Sequence, residues 1–383
     1  MRKTLIVTND YPPRPGGIQI FLHTLAQRLD PRQVVVYVSD WTRDDETRRA
    51  AERFDAEQPF PVIRDRAGML LPTPRVAKRA AELLKEHGCT GVWFGAAAPL
   101  ALMAPTLRAA GAEQLVATSH GHESGWAGMP GTKRLLRRIG EHTDTITYLG
   151  EYHREKISRV LTPEAASRMV QLTPGVNEKT FHPDAGGKAL RAELGLSDRP
   201  VVVCVSRLVP RKGQDTLIRS MPHILRAEPD AVLMIVGGGP YRGALEKLAH
   251  KTGVADSVRF AGEVSWEDLP AYYGVGDVFA MPCRTRLGGL DVEGLGIVYL
   301  EASATGLPVV CGDSGGAPDA VIDGETGWVV RGSGEAAPAE TAERIVALLA
   351  DPELRRRMGE RGRAWIEENW RWDLLAERLD GLL

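Results

Sequence analysis

Glu293 and Glu301 stand eight residues apart in EGLGIVYLE, where one carboxylate rides on glycine-rich backbone and the other on a helix. Gly288, Gly289, Gly294 and Gly296 surround the first. The second falls in IVYLEASATG, which reads as a helix start leading to the short buried strand PVVCG. Flexible backbone thus presents one acid close to a ligand, while the helix fixes the other about two turns away. Carboxylates so spaced suit gripping two sets of hydroxyls, as on a sugar and on a ribose. The same pair also reads as a solvated helix glutamate plus a loop glutamate, since acidic residues are mostly surface residues.

Upstream, VVVCVSRLVPRKGQDTLIRS runs from an apolar strand (Val201 to Val205) through a loop holding Arg207 and Lys212 to a helix opening at Gly213. A helix start carries roughly half a positive charge and unpaired N–H groups. Arg adds a planar fork for phosphate oxygens and Lys a point charge. A diphosphate suits that junction. Two exposed loop cations remain the plainer alternative.

Three other motifs carry weaker signals. MIVGGGPYRGALE has a strand, glycines and a helix, but its G-x-G-x-x-x-G spacing is one residue longer than a dinucleotide fingerprint, so a tight packing turn is the favoured reading. His120 and His122 flank Gly121 after the strand ending QLVATS; Glu123 is the one nearby carboxylate, too few ligands for zinc. A histidine at a strand's C-terminal end in a doubly wound sheet faces the ligand crevice. No D-x-D triplet occurs, so nothing resembles the clustered carboxylates that hold a diphosphate through a divalent metal.

The elements that must position these residues alternate between strand and helix, the pattern of parallel doubly wound α/β sheets. In the first half, strands are expected at 4–8, 33–38, 62–64, 91–94, 114–118, 145–148 and 169–172, with helices at 18–29, 74–87 and 100–110 among those between them. TPGVNEKTFHP (173–183) breaks the pattern and reads as a hinge. Strands resume at 200–205, 231–236, 258–260, 278–280 and 308–311, before a charged helical tail. At 383 residues the chain is long enough for two domains with separate cores.

Pro15-Gly16-Gly17-Ile18, His120 in TSHGHE, Arg207 with Lys212, and Glu293 with Glu301 occur in the order found in one family. The chain resembles the retaining glycosyltransferases of family 4, which include sucrose synthase and bacterial mannosyltransferases. The resemblance spans essentially the whole chain. It implies the GT-B fold, two Rossmann-like domains facing across a cleft. Residues 1–173 would bind acceptor, 174–370 would bind nucleotide sugar, and a last helix at about 371–383 would dock back on the first domain through Trp372, Leu374, Leu375 and Leu379. It assigns His120, Arg207, Lys212 and Glu293 to catalysis. To the donor it further assigns Gly16, Gly17, Gly262, Glu263 and Val264 (near the base), Gly294, Leu295, Gly296, Ile297, and Glu301 on the ribose. No cofactor or metal is expected, the two cations standing in for a metal's charge. NDYPPRPGGIQ and SHGHE are similar to segments of actinobacterial phosphatidylinositol-monomannoside mannosyltransferases, which implies GDP-mannose as donor and a lipid-linked inositol acceptor. A UDP-sugar-dependent transferase with another acceptor, a nucleotide-sugar 2-epimerase and a nucleotide-binding remnant remain as alternatives.

Charge and composition narrow the partners. With 48 basic and 50 acidic side chains, net −2, no global field attracts nucleic acid. Cys89, Cys204, Cys283 and Cys311 are scattered, with no C-x-x-C pair, and read as reduced core residues of a cytoplasmic protein. No apolar run approaches the ~20 residues needed to span a bilayer. Lys133, Arg134, Arg137 and Arg138 recur at helical spacing beside Leu135, Leu136 and Ile139. They form a basic face able to lie on an anionic bilayer, so a peripheral position on the inner face of the plasma membrane is expected. GMLLPTP (68–74) is a candidate second lipid contact; an ordinary surface helix explains the basic face equally well.

Overall fold

The computed structural model describes residues 1–383. The chain divides into two units, 1–174 with 372–383, and 175–371. Each is built on one all-parallel sheet covered by helices.

In the first unit the strands are β1 (Thr4–Thr8), β2 (Val34–Ser39), β3 (Val62–Asp65), β4 (Gly91–Phe94), β5 (Gln114–Thr118), β6 (Thr145–Tyr148) and β7 (Val170–Gln171), ordered β3-β2-β1-β4-β5-β6-β7. TLIVT and VVVYVS are buried along their whole length, as central parallel strands covered on both faces must be. Two buried clusters lie on opposite faces of this sheet. One contains Leu5, Val7 and Tyr37; the other contains Ile6, Val36 and Trp93. The second also takes in Leu375, Ala376 and Leu379 of the final helix Trp372–Leu382, with Trp372 ring-to-ring against Phe21 at 6.2 Å. Leu374, expected among the docking residues, is only partly buried.

The second unit has β8 (Val201–Val205), β9 (Val232–Val236), β10 (Val258–Gly262), β11 (Val278–Met281), β12 (Val309–Gly312) and β13 (Gly327–Val330), ordered β10-β9-β8-β11-β12-β13. β13 is absent from the sequence reading: GWVV is short, begins with glycine and has only two β-branched residues. The helix expected over 100–110 splits into a 3₁₀ turn, Leu100–Met103, and a helix, Ala104–Ala109, with Pro105 in its first turn.

In both sheets the order reverses beside the first strand, between β1 and β4 and between β8 and β11. Ligands of doubly wound sheets bind outside the strand C-termini at such a switch point. The loop leaving β1 carries Gly16 and runs into the helix opened by Gly17, the loop leaving β5 carries His120, and those leaving β8 and β11 carry Arg207, Lys212 and Glu293.

Candidate active site

In the second unit, the chain leaves β8 and makes a 3₁₀ turn, Pro210–Lys212, before the helix Gln214–Ala227. The helix opens one residue later than expected because Gly213 is its left-handed cap (φ 78°). A Cβ there would lie 2.1 Å from the Pro282 carbonyl oxygen, so glycine lets the β8 and β11 loops touch. Arg207 remains exposed, whereas Lys212 is buried. The Lys212 Nζ lies 2.8 Å from Glu293 Oε2. By sequence context this lysine suits phosphate and this glutamate hydroxyls; the fold pairs the two, which satisfies two charges that desolvation would otherwise penalise.

Arg211 was missed. Its Nη1 lies 3.3 Å from Glu293 Oε2 and its Nε 3.3 Å from Asp291, which Arg286 approaches at 3.5 Å. Arg284 pairs with Asp215 and donates to the Pro210 carbonyl. Arg211 touches Glu293 across some eighty residues of chain, and no local spacing signals such a pairing.

The backbone of Glu293 is clamped as well. Its N–H donates to Ser314 Oγ at 3.2 Å, and its carbonyl accepts from Gly316 N–H at 3.0 Å. Gly296 (φ 83°) then caps the helix Ile297–Ala304, with no side chain satisfying the first N–H groups. Those groups and the helix dipole favour an anion. One and a half turns in, Glu301 is buried, and its Oε2 accepts from Tyr273 Oη at 2.6 Å. Burial pushes the Glu301 carboxyl up to about 7, and the tyrosine hydrogen bond opposes that rise. The exposed helix glutamate offered as an alternative is thereby excluded.

The glycine run Gly237–Gly239 is a close-approach element. A Cβ at Gly237 would lie 2.2 Å from Ser206 O, and one at Gly239 would lie 2.5 Å from Leu208 O. These glycines let the β9 loop pack against the loop leaving β8. Gly262 (φ 80°) ends β10, and the Glu263 side chain covers Gly238.

In the first unit, Gly17 opens the helix Gly17–Ala26, which has no side-chain cap; a Cβ at Gly17 would meet nothing within 4 Å. Phe21 of that helix stands edge-on to His120, with centroids 5.5 Å apart. The His120 Nε2 lies 2.5 Å from Gly95 O. A carbonyl only accepts, so Nε2 carries the hydrogen, and burial lowers the pKa and keeps the ring neutral. Nδ1 is then an acceptor. His122 is more exposed, with Nε2 3.2 Å from Glu123 Oε1 and 3.3 Å from Ala98 O. Glu123 is fully buried and accepts from Ser119 Oγ and His120 N–H, so it organises the loop. No three His, Cys, Asp or Glu side chains group so as to hold a metal ion.

The basic helix is Pro130–His142. Leu136 and Ile139 are buried, but Leu135, expected beside them, is exposed. Lys133, Arg134 and Arg137 line a cavity of about 590 Å³ together with Arg159, Val160 and Leu161. Arg138 does not line it, so the four-cation face is divided. In 68–74, Leu70 is buried while Met69 and Leu71 are exposed. No helix is long and apolar enough to cross a membrane.

Comparison with known proteins agrees with this architecture. The Glycosyltransferase Family 4 model matches residues 15–179, and the Glycosyl transferases group 1 model matches 188–365. Anabaena HepE in complex with UDP superposes with a TM-score of 0.78 at 18% identity, covering 99% of this chain and 98% of that one. Sucrose-phosphate synthase from Thermosynechococcus elongatus gives 0.76 at 24%, covering 100% and 98%. The two doubly wound units are those of a GT-B glycosyltransferase. The chain is 48% identical to the GDP-mannose-dependent alpha-(1-6)-phosphatidylinositol monomannoside mannosyltransferase of Mycolicibacterium smegmatis, over 99% of this chain and 97% of that protein. It is 45% identical to the corresponding monoacylated-acceptor enzyme of Corynebacterium glutamicum, over 100% and 98%. The chain belongs to this family of glycosyltransferases, and its full-length relatives are mannosyltransferases.

Proposed function

We propose that this enzyme transfers mannose from GDP-mannose to a phosphatidylinositol-mannoside-type lipid, with retention at the anomeric carbon and without a metal. The observation that carries the reading is the buried Lys212–Glu293 contact at the β8–β11 switch point. A cation suited to phosphate and a carboxylate suited to hydroxyls stand side by side, as the phosphate and the hexose do in a sugar nucleotide. The named substrates of the full-length relatives support this choice of donor and acceptor.

In this reading Arg207 and Lys212 hold the diphosphate, with the free N–H groups at Gly294–Ile297. Around Glu293, three cations (Arg211, Lys212, Arg286) face two carboxylates (Asp291, Glu293). One positive charge is left over, and Arg207 adds a second, which matches the two negative charges of a nucleoside-diphosphate sugar. Glu301 takes the ribose hydroxyls, the backbone at Gly262–Val264 the base, and Glu293 a hexose hydroxyl. Gly16 and Gly17 leave room beside the donor, and His120 Nδ1 accepts from a hexose hydroxyl.

The acceptor oxygen attacks the anomeric carbon on the face from which the phosphate departs. The bond from anomeric carbon to phosphate oxygen breaks, and that oxygen takes the acceptor's proton. The cations stabilise the charge developing on the leaving GDP. The basic cavity would hold the enzyme on an anionic membrane surface.

Labelled GDP-mannose with phosphatidylinositol-mannoside vesicles tests the reading. The expected product is a mannosylated lipid with an α linkage, formed equally well in EDTA. Inversion at the anomeric carbon overturns the front-face mechanism, and inhibition by EDTA that Mg²⁺ or Mn²⁺ reverses overturns the metal-free one. Release of free 2-epimerised sugar would favour the epimerase.

A further inference from the structure

We propose that the hairpin closed by Arg286 and Asp291 contacts the hydrocarbon of the lipid acceptor through Leu287 and Leu290, and so makes the enzyme prefer an acylated acceptor to its free headgroup. The inference rests on the lipid acceptor proposed above and names the part of that acceptor this loop meets.

Arg286 and Asp291 pair as an antiparallel bridge, with N–H to O distances of 2.9 and 3.2 Å, and again through their side chains. Between them lie only Leu287, Gly288, Gly289 and Leu290. Leu287 is 69% exposed and Leu290 80%, more than any other large apolar side chain of the protein. Water disfavours both, and neither is needed to build the turn. The backbone at Leu287 (φ 51°) lies in the left-handed region, where glycine or asparagine would be unstrained. A leucine kept in that conformation and left in solvent points to use of its side chain away from the protein's own core.

The position of the tip suggests what it meets. Asp291 at the hairpin base is held by Arg211, whose other nitrogen holds Glu293. Leu290 precedes Glu293 by three residues, at most ~10 Å of chain. The tip is thus within about one headgroup's reach of an acceptor hydroxyl brought to the sugar beside Glu293, close enough to meet the acyl chains behind that headgroup. A partner protein fits less well, because four residues fall far short of the ~20 a side that stable interfaces use.

The test compares two acceptors, dipalmitoyl phosphatidylinositol monomannoside in mixed micelles and the same molecule after deacylation, with wild type, Leu287→Ser/Leu290→Ser and Leu287→Gly. GDP binding by calorimetry reports on folding. The leucine variants should lose about tenfold in kcat/KM on the acylated acceptor, the scale of exposing a leucine again. On the deacylated acceptor they should stay within about twofold of wild type. Leu287→Gly relieves the backbone strain yet should show the same selective loss. Equal losses on both acceptors, no loss on the acylated one, or a change in oligomeric mass would overturn the inference. Wild type that transfers mannose to neither acceptor removes the proposed function and this inference with it.

Discussion

The two units present the same topological switch point with opposite chemistry. In the second, the switch point is lined with charge held in advance. Lys212 and Arg211 grip Glu293, Arg284 grips Asp215, and Glu301 is buried under Tyr273. In the first, the groups left open are neutral: the Gly17 helix start and a neutral His120 wedged against Phe21. The carboxylate buried there, Glu123, is spent on the loop's own donors, Ser119 Oγ and His120 N–H, and the basic cavity on the helix Pro130–His142 lies apart. Charge fixed before the ligand arrives stabilises a leaving group without reorganisation, whereas a neutral pocket orients hydroxyls and discriminates among them. The difference argues for a division between departure of the phosphate and recognition of the sugar and acceptor.

Removing Lys212 should break the charged side most severely. Lys212→Ala should lower kcat by ~10²–10³ and leave Glu293 with Arg211 as its remaining cation. Steady-state transfer to lipid measures this, and a loss under tenfold would mean that Lys212 only balances Glu293. His120→Ala should cost less, about 10–10² in kcat, with GDP affinity unchanged by calorimetry. A parallel fall in GDP affinity, or a larger effect from His122→Ala, would erase the contrast between the units.

Glu301 supplies a pH test. Its carboxyl is raised from 4.5 to about 7, so the folded protein holds that proton more firmly than the unfolded chain does. The resulting stability is fully present below about 4.5 and is lost as pH rises through about 7. Glu301→Gln should therefore flatten the decline in thermal stability across that window. In its proposed role on the ribose the sign reverses, because only the ionised carboxylate would accept from both ribose hydroxyls. GDP affinity should fall about tenfold from pH ~8 to pH ~6. Tyr273→Phe removes the group that opposes the rise, so it should move the midpoint upward.

The smallest effect concerns the surface charges. Each cation near an anionic bilayer contributes about 1 kcal/mol, roughly fivefold in partitioning. Lys133→Glu, Arg134→Glu and Arg137→Glu should each weaken vesicle binding more than Arg138→Glu, which lies outside the cavity. Equal effects in a flotation assay would restore a single diffuse face.

Most strands were legible because runs such as VVVCV and VLMIV combine β-branching with continuous burial. β13 was not, since GWVV has too few such residues to stand out. The order of the sheets follows from parallel topology more than from any residue. The lysine and two glutamates of the site were legible by type and spacing. Their mutual contact was not, nor was Arg211, because tertiary folding brings 211 to 293 and sequence distance hides it. The division of the basic helix was equally hidden: periodicity grouped Arg138 with its neighbours, while the wall formed by Arg159 and Val160 decides which cations share a cavity.

The four cysteines have a practical consequence for labelling. All are free and buried. Burial pushes the thiols of Cys89 and Cys283 up to about 11 and that of Cys204 up to about 12, and Cys311 is raised as well. Alkylating reagents attack thiolates, so the native protein at neutral pH should stay unmodified while the unfolded chain reacts at four places. A maleimide dye therefore counts unfolded molecules, and one cysteine introduced on the surface would carry a probe on an otherwise silent background.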